Sequence, residues 1–543
     1  MKGAFFMSTV SEVIDKWSKK AAPIEDVKET HTVDIVIVGA GLGGMVAAAK
    51  ASELGSTLVL EKMPHIAAVR QAEWAFDSKF QRDAGQTFSA EERENIIGDL
   101  MRDDHWSMAS QKVVTSFVDH SGALIDWIKP IIEKESDIRL EVEPGWGPYG
   151  VSYGKPGYPE PDWFVPLKKY MERNGAKILL NTRGVQLIQD GNGKVTGIIA
   201  KNGDGNYIRY NANKGVILTT GSFGKNQAMM EDFFPRYELY SHDMFYPEST
   251  GDGHIMALQA GADMESIAWG DSFLTSDVRY NNHTNSTSLA DLVYWPAYAC
   301  LPQLYVNENG KRFINEGGYK AGENPLFCDQ ANEMRIADGL FWQTPNNKAW
   351  SIFDDKNESK LDEKAKTQEN GVLHIGGVTS SWPSHGINNH EKLDRDVQDG
   401  ITVKADTIEE LAVKIHMPVE TLKATVSRYN EMCQQGHDSD FIKEPIWLNS
   451  IDTAPYYASR ITSTPCCTRG GITIGPSGRV LDREGKDIKG LYAGGTTAGS
   501  ALGWQTTINI CIISQMFGWL AVQDAYGVLQ KPVHSYEKMA EHA

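Results

Sequence analysis

The six cysteines (300, 328, 433, 466, 467 and 511) include no Cys-x-x-Cys pair and no Cys-x-x-Cys-His run. That excludes the usual haem-attachment and iron–sulfur spacings and predicts reduced thiols. No stretch approaches the ~18 continuous apolar residues that a membrane-spanning helix needs. The N-terminal apolar run Gly3-Ala4-Phe5-Phe6-Met7 follows a single lysine. It is short for a secretory core, has no small-x-small cleavage site after it and no twin arginine before it, so a polar helix-forming leader and a cytoplasmic location are expected. Basic residues are in deficit, 53 against 71 acidic, for a formal charge of -18. This disfavours nucleic acid and anionic membrane surfaces as partners and suits a small neutral or weakly charged ligand. No low-complexity tract or internal repeat stands out, and 543 residues of which 41% are hydrophobic suffice for two domains with sizeable cores.

What is present begins with the apolar strand Val33-Asp34-Ile35-Val36-Ile37-Val38, which runs into Gly39-Ala40-Gly41-Leu42-Gly43-Gly44 and an Ala-rich helix. The pattern predicts a dinucleotide cradle: Gly39 for the tight turn, Gly41 for backbone approach to a pyrophosphate, Gly44 for close helix–strand packing, with the helix N-terminus stabilising the anion. About 20 residues on, Glu61 ends a second apolar strand, Thr57-Leu58-Val59-Leu60, where a carboxylate accepts hydrogen bonds from a ribose.

Two further strand-to-glycine turns follow. Lys214-Gly215-Val216-Ile217-Leu218-Thr219-Thr220-Gly221-Ser222-Phe223-Gly224 reads as a strand buried on both faces, as in parallel sheets. Lys489-Gly490-Leu491-Tyr492-Ala493-Gly494-Gly495-Thr496-Thr497-Ala498-Gly499 precedes an apolar helix expected over Ile508 to Val522. Three such turns predict a cofactor held by distant segments folding together. The material between the second and third is then an inserted domain, starting after Thr250-Gly251-Asp252-Gly253-His254 and ending near Pro455-Tyr456-Tyr457. Within it, Thr407-x-x-Glu410 predicts a capping box, and a helix starting at Pro418 places Val419, Leu422, Val426 and Tyr429 on one core-facing stripe. His254 is expected to be structural.

The order of Gly39-x-Gly41-x-x-Gly44, Thr220-Gly221-Ser222-Phe223-Gly224, Thr250-Gly251-Asp252-Gly253, Val306-Asn307-Glu308-Asn309-Gly310-Lys311-Arg312-Phe313-Ile314-Asn315-Glu316, Thr468-Arg469-Gly470-Gly471 and Gly490-Leu491-Tyr492-Ala493 resembles the fumarate reductase/succinate dehydrogenase flavoprotein family. The resemblance spans nearly the whole chain. It implies an α/β fold: a Rossmann-like FAD-binding domain with an inserted α+β capping domain. The expected division is a leader over 1–31, an FAD-binding domain over 32–262 and 453–530, a capping domain over 263–452 and a tail over 531–543. It implies dissociable FAD, since no histidine stands where covalent flavin linkage would occur, and hydride exchange between flavin N5 and an activated carbon–carbon bond. The implied FAD contacts are Gly39, Gly41, Gly44, Glu61 and Lys62 on the ADP half, Gly221 near the diphosphate or ribityl chain, and Ala68, Asp252, Gly495, Thr496 and Asn509. Ala67-Ala68-Val69-Arg70 and Thr496 replace the family's Gly-Gly-Asn-Ser and a glutamate.

Departures from the family define the substrate expectation. The proton-donating arginine is replaced by Lys320, and the segment that carries its relay partners is Tyr294-Trp295-Pro296-Ala297-Tyr298-Ala299-Cys300. The His-His-Thr before Gly-Gly is Cys466-Cys467-Thr468, and the substrate-clamping arginine maps to Gln505 or Thr506, beside Trp504. A dicarboxylate requires fork-shaped guanidinium partners, most of which are missing here. Lys320 and Tyr319 are the candidate proton donors, with Tyr298 and Tyr294 behind them, and Trp295, Cys467, Arg469, Trp504 and Gln505 the candidate substrate contacts. Arg469 is read either as a carbonyl or carboxylate anchor or as an interface ion-pair residue; the cysteine pair is read as small polar lining. Trp146, Tyr149, Tyr153, Tyr158 and Trp163 add candidates for an aromatic wall. The expected activity is reduction of a C=C bond in a bulky, largely neutral substrate such as an enone of steroid or polyphenol type. Ketosteroid-type dehydrogenation and a substrate-free electron-transfer subunit are the alternatives. With no haem or iron–sulfur motif, electrons are expected from a separate reductase, a soluble carrier or direct nicotinamide contact; no second nicotinamide-binding fingerprint is recognisable.

Overall fold

The computed structural model describes residues 10–66, 72–103, 109–142, 150–154, 164–234, 236–240, 246–265, 269–276, 303–317, 329–367, 373–374, 381–382, 389–499, 507–532 and 534–535. The chain divides into two compact units: Met1–Pro235, Phe245–Gly270 and Cys467–Ala543 form one, Arg236–Met244 and Asp271–Cys466 the other. The second unit therefore extends beyond the residue 452 expected for the capping domain, because the strand Tyr456–Arg469 belongs to its sheet for most of its length.

The first unit is built on an eight-stranded sheet. Its centre is parallel, in the order Lys177–Leu179, Thr57–Leu60, Val27–Val38, Tyr207–Leu218, Asp487–Ala493. Ile35, Val36 and Ile37 are fully buried, as are Val216, Ile217 and Leu218. A sheet covered on both faces requires such unbroken apolar runs. The first strand starts at Val27, inside the segment assigned above to a leader. Its outer half, Val27 to Thr32, pairs with Tyr207–Asn211 while staying largely exposed, so it carries no apolar signal. The described part of the C-terminal tail also folds back on this unit. The His534 imidazole lies between Asp119 (3.2 Å) and Asp77 (3.7 Å), and these two carboxylates push it up to about 9.

Register makes this sheet functional. Val38 is level with Leu60 and Leu218, and Leu218 with Ala493. Each ladder continues one residue past the strand end: Gly39 N–H donates to Leu60 O, Thr219 N–H to Val38 O and Gly494 N–H to Leu218 O, at 2.8–2.9 Å. All three glycine turns are thereby brought to one edge, at the carboxyl ends of the strands. The helices Leu42–Ser52 and Thr507–Tyr526 pack closely below it. A Cβ on Gly43 would lie 2.5 Å from Ser514 O and one on Gly518 2.5 Å from Gly43 O.

The second unit has a five-stranded sheet containing Trp269–Ser276, Tyr456–Arg469, Ala349–Asp354, Leu304–Asn307 and Thr402–Ala405, with antiparallel pairing among the last four. The helix Val419–Gln435 buries Leu422, Val426, Tyr429 and Met432 against Leu304, Val306 and Ile352, with Val419 packed at the margin. Thr407 caps its neighbour by accepting from Glu410 N–H at 3.1 Å; Glu410 returns the bond to Asp406 N–H, one residue before the cap. Among the described residues, no helix is long and apolar enough to cross a membrane.

Inside this unit lies a buried four-charge network. Arg312 grips Glu316 through two bonds (2.8 and 2.7 Å) and Asp438 through one of 2.7 Å, while Lys443 lies 3.4 Å from Glu316 and donates to Gln303 O and Tyr429 Oη. Burial pushes the Lys443 ammonium down to about 8. Burial raises Asp438, but Arg312 and the backbone amides of Lys443 and Phe441 outweigh it and hold that carboxyl at about 2. Removing one member of such a set leaves an uncompensated buried charge. Glu316→Gln should cost about 3–5 kcal/mol, read as a lowered thermal or denaturant midpoint; an unchanged midpoint would contradict this role.

Candidate functional site

The site is assembled from the three turns. Gly39 sits at φ +102°, and a Cβ there would lie 2.3 Å from Thr219 O, so the first turn admits neither the conformation nor the volume of another residue. Gly44 lies against Gly39 O, which its Cβ would approach to 1.9 Å. Gly41 is the opposite case: nothing stands within 4 Å of its would-be Cβ, although it opens a helix in the unit's interior. Gly221, at φ +76°, is equally bare on that side, and Gly495 at φ +65° has only Ser514 near the 4 Å limit. An edge where the backbone is tight on one side and bare on the other fits a bound diphosphate and ribityl chain.

Glu61 stands where the ribose acid is expected. Its Oε2 accepts from Ala40 N–H at 2.7 Å and its Oε1 from Met63 N–H at 2.8 Å. Each oxygen retains a lone pair for a ligand hydroxyl, and the carboxylate is already oriented. Lys62 and Asp252 are brought together in an ion pair at 3.2 Å; Lys62 also donates to Glu248 O and Thr250, and Arg183 clamps Asp252 bidentately at 3.0 and 2.6 Å. Burial opposes ionisation of Asp252, yet Arg183 and Lys62 keep its pKa below the usual range. These contacts tie the strand end after Thr57–Leu60 to the helix Asp252–Gln259.

Arg183, a charged residue in the strand Arg183–Gln189, carries no local sequence signal. The sequence also left Thr220 and Thr497 without a role, although both sit beside glycine turns. Thr220 Oγ1 and Thr497 Oγ1 are 3.2 Å apart and join the second turn to the third. Thr496 lies beside them in the short helical turn Gly495–Thr497.

The remaining candidates divide in two. Ala68, Tyr294, Trp295, Tyr298, Tyr319, Lys320, Trp504, Gln505 and Thr506 lie outside the described residues, as do Trp146, Tyr149, Tyr158 and Trp163. For Cys467 and Arg469, at the end of the strand Tyr456–Arg469, for Asn509 in the last long helix and for Tyr153 in the strand Gly150–Gly154, only the backbone is described.

His254 is fully buried edge-on against Phe223, with ring centroids 5.1 Å apart. Neither ring nitrogen has a hydrogen-bond partner among the described residues, and burial pushes its pKa down to about 4. It is held neutral in the fold, whereas an unfolded chain protonates it near the ordinary value of about 6.5. Its contribution is therefore complete above pH 6.5 and lost as pH falls toward 4. His254→Phe should flatten the decline in melting temperature over that window; an unchanged acid profile would contradict the assignment. The glycines make a second test. Gly41→Ala should leave the melting point of the cofactor-free protein unchanged while weakening FAD binding about tenfold or more, whereas Gly44→Ala should lower both. Equal behaviour of the two variants would contradict the different surroundings described for them.

The FAD binding domain family matches residues 34–507. Among curated relatives, the NADH:acrylate oxidoreductase of Vibrio harveyi is 27% identical over 576 residues, covering 94% of this chain but 52% of its own. The chain thus spans about half the length of that relative. The vinyl phenol reductase of Lactiplantibacillus plantarum is 27% identical over 497 residues, covering 87% of this chain and 90% of its own. Among solved structures, the open conformation of a flavocytochrome c3 fumarate reductase superposes with a TM-score of 0.64 at 24% identity, over 92% of this chain and 79% of that one, which establishes the shared fold. With a family match across most of its length and three glycine turns that fit the cofactor, the chain belongs to the fumarate reductase/succinate dehydrogenase flavoproteins and is an FAD-dependent oxidoreductase acting on carbon–carbon bonds.

Proposed function

We propose that this protein reduces an activated C=C bond in a bulky, largely neutral substrate, such as an enone of steroid or polyphenol type, and does not act on fumarate. The observation that carries this proposal is the loss of guanidinium groups from the positions that the family resemblance sets around the substrate. Lys320 replaces the donor arginine, Gln505 or Thr506 the clamping one, and Cys466-Cys467 a histidine pair. Two carboxylates left without bidentate partners bind poorly in a site closed to water. The vinyl phenol reductase, whose named substrate carries no carboxylate, supports the same reading over nearly the full length of both chains.

The chemistry that FAD supplies when bound is two-electron hydride exchange at flavin N5. Gly39, Gly41 and Gly44 would hold its ADP half, Glu61 the ribose and Gly221 the diphosphate region. Reduction also needs a proton on the neighbouring carbon, and Lys320 or Tyr319 would deliver it. A tyrosine hydroxyl can instead steady charge developing on a carbonyl oxygen. The last described residue before them, Gly317, is packed tightly: its Cβ would lie 2.7 Å from Trp447 and 3.1 Å from Lys443. Electrons would enter from an outside reductase, a soluble carrier or reduced nicotinamide, the last being the donor named for the acrylate relative.

The test is anaerobic. Photoreduced protein is mixed with fumarate, acrylate, 4-vinylphenol, steroid enones and flavonoids, and the return of the oxidised flavin spectrum is followed. Rapid return with a bulky neutral class and little with fumarate is the expected result; return with fumarate alone would overturn the proposal. Lys320→Met should slow the return by about a hundredfold or more with FAD still bound, and a near-normal rate would remove Lys320 from the donor role.

A further inference from the structure

Thr497 Oγ1 is hydrogen-bonded to Gly221 O at 3.1 Å and to Thr220 Oγ1 at 3.2 Å, and Thr220 Oγ1 accepts from Gly253 N–H at 3.1 Å. Proton counting fixes the direction of this chain. A hydroxyl carries one proton, and that of Thr497 goes to the Gly221 carbonyl. The proton between the two threonines therefore comes from Thr220, which is free to give it because its own bond to Gly253 is accepted. The result is a one-way sequence: Gly253 N–H to Thr220, Thr220 to Thr497, Thr497 to Gly221 C=O.

Its ends are informative. Gly253 lies in the first turn of the helix Asp252–Gln259, where backbone N–H groups have no partner within the helix. Gly221 is the bare glycine of the second turn, and Thr497 closes the third turn, two residues after the bare Gly495. Thr497 is fully buried, so valine would fill its place without loss of apolar contact, and the hydroxyl has to be satisfied to be tolerated at all. Room for a side chain at Gly253 is absent: its Cβ would lie 2.2 Å from Thr220 Oγ1 and 3.1 Å from Thr497 Cγ2. Bonds in such a row also strengthen one another.

We propose that Thr220 and Thr497 are positioning residues for FAD, whose one-way hydrogen-bond chain locks the second and third glycine turns and the helix Asp252–Gln259 into one preformed wall of the cofactor site. A preformed wall binds without the cost of ordering two loops. The inference depends on FAD binding and is independent of which substrate is reduced.

FAD is removed from the wild type and from Thr220→Val, Thr497→Val, the double variant and Thr497→Ser, and each apoprotein is titrated with FAD while flavin fluorescence is followed. Melting points of the apoproteins show that each variant is folded at the temperature used. Each valine substitution should weaken FAD binding about tenfold, since it breaks the same chain and leaves a buried partner unsatisfied. The double variant should be no weaker than the worse single one, and Thr497→Ser should bind like the wild type because it keeps the hydroxyl. Valine variants that bind FAD like the wild type, single effects that multiply to about a hundredfold in the double variant, or a serine variant as weak as the valine one would each overturn the proposal. A wild-type apoprotein that takes up no FAD would instead overturn the cofactor assignment beneath it.

Discussion

Parallel pairing in level register is the constraint on which the rest depends. Because Val38, Leu60, Leu218 and Ala493 end at the same height, three turns separated by hundreds of residues in sequence open on one edge. The bonds that carry the ladder one residue further, through Gly39, Thr219 and Gly494, place the first atoms of each turn by sheet geometry and not by loop preference. Everything at the site is a consequence: the tight first turn at Gly39, the bare faces of Gly41 and Gly221, and the carboxylate of Glu61 oriented by Ala40 N–H.

The two units hold their polar interiors by different means. The FAD unit joins its second and third turns with neutral hydroxyls and gathers Lys62, Arg183 and Asp252 at the start of a helix, apart from the cluster of Asp77, Asp119 and His534. The other unit buries two cations and two anions together around Glu316. Buried ion pairs are weak sources of net stability, but they penalise any arrangement that breaks them. Around Glu316 the effect is to fix Gln303 and Gly317, between which the Asn-Glu-Asn-Gly turn runs. A neutral linkage at a cofactor site has the complementary merit of adding no field beside a diphosphate that already carries charge.

Legibility in the sequence followed hydrophobicity. The buried halves of the central strands, the glycine turns, the stripe of Val419, Leu422, Val426 and Tyr429 and the Thr407 cap could all be read, because each is written in residue type at fixed spacing. The outer half of the first strand could not, since Lys28, Glu29 and His31 face solvent and look like a linker. Nor could the end of the inserted unit, because a strand of fourteen residues crosses from one unit to the other without a turn to mark the change. At the site, glycines announced themselves, whereas Thr220, Thr497 and Arg183 act through partners far away in sequence, which no local pattern records. The resemblance to a family supplied the cofactor and reaction class, and its broken positions supplied the substrate argument.

The most direct test of the central claim, that three remote turns form one FAD site, is amide hydrogen exchange on the apoprotein with and without FAD. The account predicts that FAD slows exchange together at residues 39–44, 219–222 and 494–497. Slowing confined to the first turn, with the other two unchanged, would contradict it.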